Sequence, residues 1–387
     1  MKLDFEFDTS IKDRIREISS KYDLSYWQSV DQECRFPIEY WNSLASSDFF
    51  GILIEKKWGG LEKGIVDLVL AVEETSEHFA GLGSYVYLSG SLVSKIISRN
   101  GSEEQKKEFL PRLARGELKI SIALSEEASG FDASSITTRA TKFSNNRYSI
   151  DGSKTFVNNA DIADYLIVFA RTSDREASTR KFEGITMILV DPKDPSVKKK
   201  KLERLGMNFV NSYAIDFQDL VVEDSMILGA VGRAWYDIVG IFNLDRILTA
   251  ASLVGTGRLA LNQASDWARK RTVLGRVIGS NQGIQFPLAD AFAQLTVAES
   301  MALKAASLAD QEKNSANEAS YSLLTASSAA TAATDRAVQT LGGHGYYKDY
   351  HVERLWRDVR AHRVHPISEE LLLASIAERS LGLPRSY

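Results

Sequence analysis

Tyr148-Ser149-Ile150-Asp151-Gly152-Ser153-Lys154-Thr155-Phe156-Val157, with Leu166-Ile167-Val168-Phe169-Ala170 and Ile185-Thr186-Met187-Ile188-Leu189-Val190 after it, is a block of β-rich runs between two stretches of helical periodicity. The two later runs are continuously apolar, as strands buried on both faces are. Asp151-Gly152 reads as a hairpin-type turn between the runs on either side of it. Residues 120–230 are therefore predicted to form a compact all-β domain, a barrel or a sandwich.

Upstream, apolar residues recur at helical spacing, as in Trp41, Leu44, Phe49 and Leu53, then Leu68, Leu70 and Val72. Breaks fall at Trp58-Gly59-Gly60 and at Asn100-Gly101-Ser102-Glu103-Glu104, the second leading into a capped helix with Gln105 to Leu110. Downstream, Leu244 to Arg271 is nearly unbroken, and Ala289 to Val338 is rich in Ala, Ser and Leu, which suits close helix packing. The fold class is thus α+β and multi-domain. It comprises an N-terminal helical domain over 1–119, a middle β domain over 120–230 and a C-terminal bundle of four-helix type over 231–387.

A chain of 387 residues is long enough for two or three sub-domains with substantial cores. The net charge of −4 comes with no basic stripe, which argues against a nucleic-acid partner. Lys198 to Lys201 is the one conspicuous charge run and, after Asp194-Pro195-Ser196, reads as a solvated turn. A single cysteine, Cys34, excludes an intramolecular disulfide framework, and the five histidines show no metal-ligand spacing. The first eight residues lack an apolar signal core and no apolar stretch is long enough to span a bilayer, so a cytoplasmic protein without a membrane partner is expected.

Several motifs occur in an order that resembles the acyl-CoA dehydrogenase family over almost the whole chain. Phe36-Pro37 … Trp41 … Leu44 … Gly51-Ile52 … Trp58-Gly59-Gly60 is similar to the family's opening, and Gly101-Ser102-Glu103-Glu104-Gln105-Lys106 … Leu110-Pro111 … Gly116-Glu117 follows it. Ala123-Leu124-Ser125-Glu126-Glu127-Ala128-Ser129-Gly130-Phe131-Asp132 resembles the loop that lies against the flavin in that family. The resemblance implies FAD contacts from Leu124 and Ser125, the Ser125 hydroxyl meeting the pyrimidine edge, where a donor stabilises charge on the reduced ring. Phe131 replaces a serine near the phosphates and the substrate, so the mouth of the site is altered. Lys154 to Ala160 resembles the strand that meets the other side of the ring, which assigns Phe156, Val157 and Asn158 to the cofactor. Leu205-Gly206-Met207-Asn208 … Leu228-Gly229 is similar to the end of the family's β domain.

Arg271-Thr272-Val273-Leu274-Gly275 … Gln282 and Gln339-Thr340-Leu341-Gly342-Gly343-His344-Gly345 resemble the family's second flavin constellation. There they clamp the pyrophosphate and adenosine of FAD in a neighbouring subunit, so Arg271, Gln282, Gln339, Gly342 and Gly343 imply a homodimer or homotetramer. Arginine suits a pyrophosphate through its planar fork of donors, and glycine allows close approach of backbone N–H groups. Read alone, a Gly-Gly-x-Gly is a helix stop.

In most of the family a C-terminal glutamate removes the substrate's α proton. Arg357-Asp358 … His365-Pro366-Ile367-Ser368-Glu369-Glu370-Leu371 places Pro366 in that slot, and proline neither accepts a proton nor donates a backbone N–H. A minority of the family carries the acid on another helix, just before an arginine. Asn243-Leu244-Asp245-Arg246 matches that pattern and makes Asp245 the candidate base, against the alternative of an ion pair with Arg246 or a neighbour. His365 is the runner-up base. Leu244, Arg246, Phe131 and His365 are the candidate substrate contacts.

The resulting reading is an FAD-dependent dehydrogenase that oxidises the α,β, or an α-heteroatom, position of an acyl thioester of CoA or of a carrier protein, in a specialised pathway. Its electron acceptor is an electron-transferring flavoprotein or oxygen. The alternatives are a flavin-dependent monooxygenase on the same scaffold and a non-catalytic thioester-binding protein.

Overall fold

The computed structural model describes residues 10–78, 91–130, 132–175, 180–364 and 367–385. Its N-terminal layer comprises α1 (Ser10–Ser19), α2 (Leu24–Gln32), α3 (Ile38–Ala45), α4 (Ile65–His78), α5 (Val93–Asn100) and α6 (Glu103–Ala114). The Asp23 carboxylate accepts the Tyr26 N–H at 3.1 Å and so caps α2. α6 starts on a reciprocal capping box between Ser102 and Gln105, the two bonds being 3.2 and 2.8 Å. The amide of Gln105 also donates to the carbonyls of Ser225 and Ile227, at 2.8 and 3.0 Å, and so ties this layer to the β domain.

The strands are β1 (Ile120–Ala123), β2 (Arg139–Ser144), β3 (Arg147–Asn158), β4 (Tyr165–Arg171), β5 (Ile185–Val190), β6 (Val197–Leu202), β7 (Ser212–Glu223) and β8 (Ile227–Leu228). They run in the order β6-β7-β3-β2-β4-β5-β8, with β1 parallel to β4. The two halves of this sheet meet at one pair, Arg139 beside Arg171. Their inner faces close on each other, Ile150, Val157, Ile215 and Phe217 meeting Leu166, Val168 and Ile188 in one core.

Two local expectations are corrected. Asp151-Gly152 is not a hairpin turn: β3 runs straight through it, and the β2–β3 turn falls at Asn145-Asn146. The glycine is needed for a bulge instead. Pairing of β3 with β7 shifts register between Ile150 and Gly152, whose φ is +134°, and a Cβ there would sit 2.7 Å from the Thr138 Cα. Lys198 to Lys201 forms not a turn but the exposed body of β6, an edge strand paired to β7. Four charged side chains on an edge oppose the addition of a further strand.

The C-terminal part contains α7 (Ala234–Ile238), α8 (Ile241–Lys270), a small hairpin of β9 (Thr272–Val273) and β10 (Arg276–Val277), α9 (Gln282–Asp310), α10 (Ala316–Leu341), α11 (Val352–Arg360) and α12 (Glu369–Leu381). The three long helices interlock through small residues: Ala298 and Ala302 of α9, Ala326, Ala329 and Ala333 of α10, and Ala250 of α8 share a core with Leu253 and Leu295. On its other side α8 packs against α4, and a Cβ at Gly255 would collide with the Glu73 carbonyl, so the two backbones nearly touch.

Candidate active site

The loop after β1 and the bulged strand β3 form the first part of the site. The Thr155 N–H donates to the Ser125 carbonyl at 2.8 Å, which sets the exposed Ser125 beside the end of β3. One residue on, the Glu126 carboxylate is buried and accepts the Thr137 N–H (2.6 Å), the Thr137 hydroxyl (2.8 Å), the Thr138 N–H (3.0 Å) and the Lys154 ammonium (2.7 Å). Burial opposes its ionisation, but Lys154 and these donors overcome that and hold the carboxyl down to about 2. Lys154 faces the interior of β3, where burial lowers its pKa to about 8 against the support of Glu126.

Between Lys154 and Val157 the register with β7 slips again, and Phe156 is thrown outward at φ +57° with 60 % of its surface exposed. A phenyl ring held exposed in a left-handed conformation is costly, and such strain clusters at ligand sites. Asn158 next to it is fastened: its carbonyl accepts the Ser121 hydroxyl and its Oδ1 accepts the Ser212 hydroxyl, leaving the Nδ2 group to donate. An exposed hydroxyl, a strained aromatic face and a free amide donor fit the edges and face of a flavin ring. The Val157 side chain is buried in the β core.

Asp245 lies in the second turn of α8 with 6 % of its surface exposed. Burial pushes its carboxyl up to about 6, against the lowering effects of Arg246 and of Thr249 one turn on. The Thr249 hydroxyl has no hydrogen bond of full geometry, so its effect on Asp245 is weak. Arg246 donates from Nη1 to Asn243 Oδ1 at 2.7 Å, and its Nε is buried without a protein partner. Asp245 is therefore a buried acid beside an uncommitted donor. Leu244 packs into the core it shares with Leu68 and Val72, which by itself accounts for its apolar character.

Arg271 closes α8, and its carbonyl accepts the Ile278 N–H at 2.8 Å across the β9–β10 hairpin. At the hairpin tip Leu274 and Gly275 both have positive φ, +51° and +81°, and Leu274 is 99 % exposed. Gln282 opens α9 and Gln339 sits in the last turn of α10, both exposed. Gly342 follows at φ +61° with open space around it, and the His344 ring lies 4.7 Å from that of Trp267 in α8. The five clamp candidates thus gather at one end of the bundle. Twenty-six residues of helix separate Asp245 from Arg271, about 39 Å at 1.5 Å per residue. The candidate base and the clamp candidates therefore lie at opposite ends of α8.

Phe131, His365 and Pro366 lie outside the described residues. Flanking the last two, Arg363 forks onto Glu369 at 2.9 and 2.7 Å, and Ser327 donates to the same carboxylate at 3.1 Å. The sequence reading passed over Lys154 and Glu126 as site residues. The signal was present: Tyr148, Ile150 and Lys154 occupy one inward face at period two, and an inward lysine needs a buried partner. It also missed the stack of Phe182 on Trp235, 4.2 Å apart and 8° from parallel, with the Phe242 ring 5.8 Å from that of Trp235.

Family models for the acyl-CoA dehydrogenase N-terminal, middle and C-terminal domains match residues 6–117, 121–220 and 232–381. An acyl-CoA dehydrogenase of Bacillus subtilis is 33 % identical over 369 residues, covering 95 % of this chain and 96 % of that protein. Butyryl-CoA dehydrogenase from Megasphaera elsdenii superposes with a TM-score of 0.92 at 28 % identity, over 98 % of this chain and all of that one. The prolyl acyl carrier protein oxidase AnaB gives 0.90 at 25 % identity, over 97 % and 100 %. Fold and matches together define an FAD-dependent oxidoreductase. Within that class, the chain belongs to the acyl-CoA dehydrogenase family.

Proposed function

We propose that the chain oxidises an acyl thioester next to its carbonyl, with Asp245 as the base. The observation that carries this reading is the buried Asp245 carboxyl, raised to about 6, beside the unpartnered Nε of Arg246. A general base works best with a pKa near the operating pH, and this one is still mostly ionised at neutrality while holding a proton far better than an exposed aspartate. Asp245 takes the proton from the carbon beside the thioester carbonyl, and Arg246 orients the substrate's polar end. When bound, FAD supplies the acceptor for the two electrons. Leu124, Ser125, Phe156 and Asn158 hold the ring, and burial of Asp245 keeps water from the base.

The clamp of Arg271, Gln282, Gln339, Gly342 and Gly343 serves the flavin of a second copy, a reading supported by their gathering at the end of α8 far from Asp245. α9 exposes Phe286, Phe292 and Val297, apolar surface of the kind a second copy covers. A side chain one methylene shorter than glutamate reaches less far, which favours a substrate that brings its own bulk near the α carbon. The likeness to AnaB supports a group carried on a protein, ahead of a CoA ester. The electron acceptor is an electron-transferring flavoprotein or oxygen.

The test is anaerobic mixing of the flavoprotein with prolyl and short acyl thioesters on phosphopantetheine, on CoA and on a carrier protein. Bleaching of the visible flavin band by one of them is the expected result. Binding without bleaching identifies a thioester-binding protein, and flavin-free protein that needs supplied reduced flavin and oxygen identifies a monooxygenase.

A further inference from the structure

We infer that Lys154, held by its buried pair with Glu126 and acting through its bond to the Leu124 carbonyl, is a positioning residue that sets the redox poise of the flavin. The inference rests on the reading above, in which residues 124–125 and 156–158 hold the ring. The pair is fully enclosed: 0 % of the Lys154 side chain and 6 % of that of Glu126 are exposed, with 2.7 Å between them. A desolvated ion pair is a weak device for stability, since taking both charges out of water offsets their attraction. This pair does something more specific.

The second bond of the Lys154 ammonium goes to the Leu124 carbonyl, at 3.1 Å. That oxygen belongs to the peptide unit whose N–H is that of Ser125. A cation on the oxygen draws electron density through the amide and makes the N–H at its other end a stronger donor. Glu126, gripped by Thr137 and Thr138, fixes the loop from the following residue, and the Thr155 N–H fixes the Ser125 carbonyl. Residues 124–126 are therefore held from three directions, with the Ser125 amide polarised by the cation on its peptide oxygen. Reduced flavin carries more negative charge on that edge than oxidised flavin, so a strengthened, preorganised donor favours the reduced form. Lys154 also begins the segment in which the strand slips and Phe156 turns out, so the same residue anchors both sides of the ring site.

The experiment measures the midpoint potential of the holoprotein by dye titration in Lys154→Met, in Glu126→Gln and in the double variant Lys154→Met/Glu126→Gln. Thermal midpoints and FAD release are followed alongside. Both variants lacking Lys154 are expected to lose about tenfold in the ratio of reduced to oxidised FAD affinity, a shift of about 30 mV to more negative potential for a two-electron couple. Glu126→Gln keeps the bond to Leu124 and should stay near the parent potential despite a lower thermal midpoint. The double variant leaves no buried charge unpaired and decides the matter if Lys154→Met does not fold. Parent potential in the double variant overturns the inference and leaves the pair a purely structural feature. Phe156→Ala separates this from the site reading: unchanged FAD spectrum, affinity and potential in that variant refute the placement of the flavin itself.

Discussion

Asp245→Asn tests the proposed base through two readouts of opposite sign. The carboxyl is lifted from 3.8 to about 6 by burial. Two pKa units at about 1.4 kcal/mol each amount to about 3 kcal/mol, spent in keeping a carboxylate out of water. The folded-state value lies above the unfolded one, so the folded protein holds the proton more tightly. Below pH 4 the group therefore costs the fold nothing. As pH rises from 4 to 6 stability falls, and above 6 the full cost is present. Asparagine has the same shape and no charge, so the variant should be more stable at pH 7.5 by up to about 3 kcal/mol and by about half of that at pH 5. Flavin bleaching should slow by about 10²–10⁴-fold, the usual worth of a general base. In the parent protein the bleaching rate should rise with pH through about 6 and then level. Anaerobic stopped-flow spectrophotometry and urea unfolding at the two pH values read both effects. Bleaching at the parent rate removes Asp245 from the chemistry, and a stability gain equal at both pH values refutes the raised pKa.

Three further outcomes are expected. Phe286→Asp/Phe292→Asp places charges on the exposed face of α9 and should give monomers by sedimentation, with FAD lost on gel filtration, because the clamp then has no neighbour to serve. Arg271→Ala should weaken FAD binding at least tenfold in a fluorescence titration while the thermal midpoint of the apoprotein stays within about 1 °C, since the side chain is exposed at a helix end. Ser102→Ala removes one arm of the α6 capping box and should cost about 1 kcal/mol in urea unfolding without changing the flavin spectrum.

Much of the architecture was legible in residue order. The apolar runs 166–170 and 185–190 became the buried β4 and β5, and the pattern from Leu244 to Arg271 became a single helix of 30 residues. The Ser102–Gln105 spacing carried its capping box with it. Asp151-Gly152 was misleading because a positive φ serves a bulge as well as a turn, and only the partner strand distinguishes them. Lys198 to Lys201 was misleading for a related reason: a strand at a sheet edge needs no apolar face when β7 supplies its hydrogen bonds. Position in the sheet is a property of neighbours that one strand's residues do not encode.

The site divides along the same line. By itself the sequence determined the family, and it supplied the candidate flavin motifs and Asp245 as the candidate base in place of Pro366, because these depend on which side chains stand at which spacing. Only the tertiary structure decided that Asp245 is buried enough to hold a proton near neutrality and that Arg246 keeps a donor free. It alone showed that Phe156 is strained outward and that Lys154 reaches the Leu124 carbonyl. Each of these is a matter of dielectric surroundings and of contacts between residues distant in the chain, and both arise only when the helices and the two halves of the sheet have closed around them.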